Sequence, residues 1–286
     1  MTTNPRSTIK SRMLSVVRRG PTEILWTPPD VRGGNVLYYW LRAASRQAAG
    51  TDAHVLGTAH AETWLRAFPR LRELTRAPHE VRMNDRRLPP GVLQHFGTDF
   101  TVDELDDFIA KYLMSSPSTF ADHVAAQHGL DLTINIRHGA DYYSHPGARG
   151  AFSFDVPEYV RTAVRLVAEQ APITGIRLVS DNLDWCTAKL AWLNEIAPVS
   201  VPGQEADPID HLATLTASPR LILANSTFSY WGGYLSSWLH PHDVADAPSG
   251  VWAPSFHNRY FPDGGRATQL NPRWTIIEEI PGGWDG

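Results

Sequence analysis

From Asp131 onward the chain alternates short apolar runs with amphipathic segments, and this alternation limits the fold more than any other feature of the sequence. An apolar strand is expected at 132–136, a helix at 157–168, a strand at 176–179 and a helix at 185–193. A helix at 208–215, a strand at 221–224 and a helix at 228–239 follow, the last with Phe228, Trp231, Leu235 and Trp238 on one face. Strands separated by helices pair in parallel, with helices on both faces of the sheet. In such sheets ligands bind beyond the carboxyl ends of the strands, so the residues that end each strand carry the functional information.

The first half repeats the theme less regularly. Glu23-Ile24-Leu25-Trp26 reads as a strand stopped by Pro28-Pro29, and Gly33-Gly34-Asn35 opens a helix carrying Val36, Leu37, Trp40, Leu41 and Ala44. A second strand (His54 to Leu56) and a helix (Ala61 to Phe68) follow. Thr101 with Glu104 forms a capping box ahead of Leu105, Phe108, Ile109 and Leu113, and a further helix after Pro117 ends at Gly129. The 286 residues are enough for two domains. The expected division is a flexible basic arm over 1–20, a domain over 21–129 and a domain over 130–286.

Composition removes several classes of function. A net charge of −4 argues against a broad nucleic-acid surface, and no apolar run approaches the roughly 18 residues of a membrane span. The basic start (Arg6, Lys10, Arg12, Arg18, Arg19) has no long apolar region after it, so secretion by a signal peptide is not expected. At most the arm touches an anionic membrane surface. Cys186 is the single cysteine, which excludes an internal disulfide and suits a reducing cytoplasm. Oligomeric state is not readable.

Three strand ends carry polar residues. The first runs Asn135-Ile136-Arg137-His138-Gly139-Ala140-Asp141, where the arginine fork suits a phosphate. The second is Ser180-Asp181-Asn182, then Asp184-Trp185-Cys186; its carboxylate either accepts from ribose hydroxyls or a base edge, or caps the following helix. The third, Ala224-Asn225-Ser226-Thr227-Phe228-Ser229, meets a helix start, where free amides and the helix dipole favour a diphosphate and simple capping needs no ligand. Three such ends along one sheet edge favour a nucleotide. No Asp-x-Asp pair is present to bridge a metal to a diphosphate, and His240-Pro241-His242-Asp243 reads as a solvated loop, so no metal or other cofactor is expected.

Asn225 to Gly233 (Asn-Ser-Thr-Phe-Ser-Tyr-Trp-Gly-Gly) resembles the asparagine-serine-threonine-phenylalanine-serine-tryptophan-tryptophan-glycine motif of alpha-1,2-fucosyltransferases, glycosyltransferase family 11. Val179 to Asn182 with Trp185-Cys186 is similar to that family's serine-aspartate-aspartate segment. Ile134 to Tyr142 resembles the histidine-x-arginine-arginine-glycine-aspartate-tyrosine motif shared with alpha-1,6- and protein O-fucosyltransferases. Gly33-Gly34-Asn35 with Tyr38 or Tyr39 resembles the glycine-rich loop, and Val251 to Pro254 and Pro272-Arg273-Trp274 stand where the family has an alanine-proline strand and a terminal tryptophan. Asn135 replaces the family's first histidine, His138 its second arginine, Val36 the glutamine after the glycine loop, and Ala140 is inserted.

The resemblance implies an α/β fold of the GT-B type, two Rossmann-like domains with parallel sheets facing a central cleft. It implies a GDP-fucose donor on the second domain, an acceptor on the first, inversion at the anomeric carbon and no metal. Carried over, Arg137 holds the diphosphate, Asp181 faces the guanosine with Ser180 beside it, Asn135, Asn225, Ser226, Thr227 and Phe228 line the donor, and Gly34 and Asn35 close from the first domain. The candidate base is Asp141, His138 or His145, each requiring hydrogen-bond reach of the acceptor hydroxyl. Tyr142 and Tyr143 are the acceptor candidates, for a glycan, glycoconjugate or peptide. Two other readings remain open: a transferase of another GDP-sugar acting on a peptide or natural product, and a sugar- or nucleotide-binding protein without turnover.

Overall fold

The computed structural model describes residues 20–28, 31, 33–143, 146–203, 206–241, 250–260 and 262–280, the side chains of 140, 141, 262 and 263 excepted. These residues form two compact units that divide between Thr119 and Phe120. The basic arm up to residue 19 lies outside the described residues. The division falls about ten residues before the expected 129, for a local reason. The helix Thr119–Ala125 is tied forward, His123 Nδ1 lying 2.7 Å from Asp210 Oδ1, and just beyond it the Thr214 hydroxyl donates to Gln127 Oε1 at 3.1 Å.

The first unit comprises β1 (Glu23–Leu25), α1 (Gly34–Ala48), β2 (Ala53–Leu56), α2 (Glu62–Ala67), β3 (Thr75–Arg76), β4 (Arg86–Leu88) and α3 (Val102–Phe108). Its four strands are parallel in the order β3-β2-β1-β4. Gly33, at φ 56° and ψ −139°, is in backbone space that strongly favours glycine, and it turns the chain into α1. Thr101 caps α3 with the reciprocal Glu104 bond that its spacing predicts. Glu23 is wholly buried in β1, where Arg46 and Arg86 both pair with its carboxylate.

The second unit begins with α4 (Thr119–Ala125) and β5 (Leu132–Ile136), followed by α5 (Ala140–Tyr143), α6 (Pro146–Phe152), α7 (Val156–Gln170), β6 (Ile176–Ser180) and α8 (Leu183–Lys189). It continues through β7 (Val199–Ser200), α9 (Pro208–Ala217), β8 (Arg220–Ile222), α10 (Thr227–Leu239), β9 (Val251–Pro254) and β10 (Thr275–Ile277). Six parallel strands run in the order β10-β9-β8-β5-β6-β7. Counted from β5 as the first, that order is 3-2-1-4-5-6, the Rossmann arrangement, and the first unit's 3-2-1-4 is its first part. The α/β, twice-Rossmann expectation therefore holds. Leu132, Ile134, Ile136, Val160, Val164, Leu178, Ile222 and Trp252 form the core of this unit, with Cys186 packed fully buried among them.

Sequence reasoning missed β3, β4, β7 and β10. Each has two or three residues, and β3, β4 and β7 carry no apolar run to mark them. The helix expected over 185–193 starts two residues earlier and breaks at Leu190 into a 3₁₀ turn, Ala191–Glu195.

Candidate functional site

Strand order reverses between β5 and β8, so the crevice of the second unit opens at their carboxyl ends. In the β5–β6 register, Asn135 stands opposite Val179 and Ile136 opposite Ser180. The next step brings Arg137 beside Asp181. The two form an ion pair, each partly exposed, and Asp181 Oδ1 also accepts from the His138 amide at 2.8 Å. Arg137 lies over the Tyr142 ring, its guanidinium carbon 4.8 Å from the centroid, and Tyr142 stacks on Phe152 at 4.5 Å. The guanidinium is thereby held from two sides, by a carboxylate and by an aromatic face.

His138 is the feature the sequence concealed. Its imidazole is sandwiched between Tyr143 and Trp185, each ring 3.9 Å away and within 17° of parallel. Asn182, whose Oδ1 caps α8 by accepting from the Trp185 amide at 3.2 Å, turns its Nδ2 to the His138 carbonyl at 3.3 Å. Helix capping therefore falls to Asn182 and leaves Asp181 for Arg137. Burial pushes the His138 pKa below its ordinary 6.5, so the ring is neutral at neutral pH. Burial likewise drives the Tyr143 phenol up to about 12. Tyr143, expected as an acceptor contact, has its ring committed to His138.

The amide-bearing candidates divide from the charged ones. Asn135, 5% exposed, donates to the Val179 carbonyl at 3.0 Å and accepts from the Ser229 hydroxyl. Asn225, 1% exposed, donates to the carbonyls of Phe152 at 2.9 Å and His257 at 3.1 Å. Both amides tie the strand ends to α10 and to the loops around it. Ser180 Oγ accepts from the Asn182 amide at 3.0 Å. Ser226 precedes α10 without a side-chain cap, which leaves the first turn of this 13-residue helix, at Thr227 and Phe228, with its amides uncapped by a side chain. Gly232 and Gly233 let α10 pack closely: a Cβ on the first would meet Leu215 Cβ at 2.7 Å, and on the second Trp274 at 2.7 Å.

Arg137, His138, Ser180, Asp181, Asn225 to Phe228, Tyr142 and Tyr143 thus gather at one edge of one sheet. Gly34 and Asn35 belong to the first unit, where Asn35 Oδ1 accepts from Gln94 Nε2 at 2.7 Å. Asp141 lies on α5 but its side chain is outside the described residues, as is the whole of His145. Phe152 and His257, which form the floor beneath Tyr142 and Asn225, carried no sequence signal; only their contacts identify them. Among the described residues no three His, Cys, Asp or Glu side chains gather as a metal site, and His242 and Asp243 fall outside those residues. No helix among them is long and apolar enough to cross a membrane.

No curated protein matches this chain. Among solved structures, POFUT1 in complex with GDP aligns at 11% identity over 82% of this chain and 77% of that one, with a TM-score of 0.39. A second POFUT1–GDP crystal structure aligns at 10% identity over 78% and 96%, TM-score 0.43. POFUT1 with GDP-fucose aligns at 11% identity over 87% and 78%, TM-score 0.35. The sequence pattern of glycosyl transferase family 11 matches residues 98–239, a span that contains the β5, β6 and β8 ends and the whole of α10.

Proposed function

We propose that the chain is a fucosyltransferase moving L-fucose from GDP-β-L-fucose to an acceptor hydroxyl, with inversion to the α-fucoside and without a metal. The observation that carries the reading is Arg137. It sits one step beyond β5 at the switch point, oriented by Asp181 and Tyr142, next to the strand that leads into α10. A guanidinium beside a helix start is the metal-free way to neutralise a departing diphosphate. The matching family, glycosyl transferase family 11, supports sugar transfer as the chemistry.

In this reading the acceptor oxygen attacks the anomeric carbon as the bond to the β-phosphate breaks. The leaving charge falls to Arg137 and to the amides at Thr227 and Phe228, while Asp181 both orients Arg137 and faces the guanosine. Asp141, His138 or His145 takes the acceptor proton. Of these, His138 is the one whose side chain is described. Held neutral between Tyr143 and Trp185, it has a lone pair to accept a proton or an N–H to donate to phosphate.

The test is ligand discrimination by thermal stabilisation with GDP, UDP and ADP, followed by GDP-fucose turnover with and without a chelator. GDP is expected to stabilise most, and turnover to survive chelation with inverted anomeric configuration. Arg137→Ala should weaken GDP binding about a hundredfold, the order expected for losing a bidentate charged contact. A preference for UDP, or unchanged GDP affinity in that variant, overturns the assignment.

A further inference from the structure

The first unit has a cavity of about 560 Å³ at the carboxyl ends of β1, β2 and β4, within the size range of small-molecule sites. Ile24 and Arg87 are register partners and project to the same face of the sheet. Trp26 and Pro89 follow two residues further along on the same side, and Leu56 closes the wall from β2. In a Rossmann-ordered sheet the interval between β1 and β4 is again the switch point, so this is a place where ligands bind.

The lining decides what kind of ligand fits. Apart from the Trp26 indole N–H, Arg87 supplies the polar side-chain group, and the rest is hydrocarbon: isoleucine, leucine, valine and proline. A pyranose there would leave most of its hydroxyls without partners, at a cost for each one desolvated. A flat apolar body would instead bury against Trp26, which is 46% exposed on this wall. Arg87 adds a second, independent pointer. Its neighbour Arg86 is paired with buried Glu23, whereas the Arg87 side chain has no hydrogen bond or ion pair within the described residues. An unpaired guanidinium on the rim of an apolar cavity matches a single anionic group.

We propose that this cavity is a binding site for an aryl carboxylate, a molecule with a flat apolar body and one acidic group. Under the transfer reaction proposed above it holds the acceptor, and that role, though not the site itself, rests on the transferase reading. The acceptor class is then an aromatic acid bearing a hydroxyl rather than an oligosaccharide.

The experiment is calorimetric titration of the full chain with 2-naphthoate, with the neutral 2-naphthalenemethanol and with methyl β-galactoside. The naphthoate should bind at least about tenfold more tightly than the alcohol, and the galactoside should not bind. Arg87→Gln should bring the two naphthalenes to equal affinity, and Trp26→Ala should weaken both. Both variants should keep the wild-type melting temperature and GDP affinity, since these side chains lie on the surface of the other unit. The site is overturned if the wild type does not bind naphthoate, if both variants bind it as the wild type does, or if the galactoside binds more tightly. Failure of the wild type to bind GDP while naphthoate binding persists overturns the transferase reading and upholds the site.

Discussion

Acid should loosen the floor beneath Tyr142 and Asn225 through one residue, His257. Its imidazole is buried, with Nδ1 3.1 Å from the Tyr230 hydroxyl, and its carbonyl accepts from Asn225. Burial lowers its pKa from 6.5 to about 4. The unfolded chain therefore binds a proton that the folded chain refuses throughout that interval. The stabilising contribution is complete above 6.5, falls as the pH drops through the interval, and is gone below about 4. Linkage gives a loss of about 2 kcal/mol between pH 7 and pH 5 from this group alone. His138 and His211, also lowered by burial, add losses of the same sign, so the wild-type slope by itself is not diagnostic. The informative comparison is with His257→Gln, which keeps an amide for Tyr230 and does not titrate. Urea unfolding at the two pH values should show the wild type losing about 2 kcal/mol more than the variant. Equal losses in the two proteins would refute the claim that His257 is held neutral by the fold.

The remaining predictions concern packing. Glu23→Gln should destabilise the first unit by about 2 kcal/mol, because Arg46 and Arg86 lose the buried carboxylate between them; both guanidiniums are partly exposed, which keeps the cost below that of a fully buried pair. Chemical denaturation checks this, and a loss under about 0.5 kcal/mol would mean that Glu23 is satisfied by other partners. Gly233→Ala should cost about 1–3 kcal/mol in the same assay, since the new methyl would meet Trp274 at 2.7 Å and Leu223 at 2.8 Å, outweighing the helix preference of alanine. Gly203→Ala, where a Cβ meets nothing within 4 Å, is the control and should be close to neutral.

How much of this was legible in the sequence depended on the range of the interaction that decides each feature. Local signals survived. The Thr101–Glu104 capping box, the strand at β5 and the helix α10 all follow from residues within a few positions of one another, and three polar strand ends could be placed on one sheet edge from alternation alone. Features set by register did not survive. That Arg137 pairs with Asp181, 44 residues away, depends on β5 and β6 aligning Ile136 with Ser180, and a shift of a single residue would send the two side chains to opposite faces. Both residues were singled out from the sequence, but for separate parts of a nucleotide rather than for each other. The His138 sandwich is a mixed case. Tyr143 is local, whereas Trp185 reaches the ring only because α8 follows β6 directly, so a position that reads as a candidate base in place of the family's arginine becomes a neutral, oriented imidazole. Glu23 is set at long range as well: two arginines, 23 and 63 residues away, make its complete burial tolerable, and no residue within a few positions announces them. The residues at each strand end could thus be picked out from the chain, while the partner that orients Arg137 could not, and it is the partner that holds a partly exposed arginine in one place.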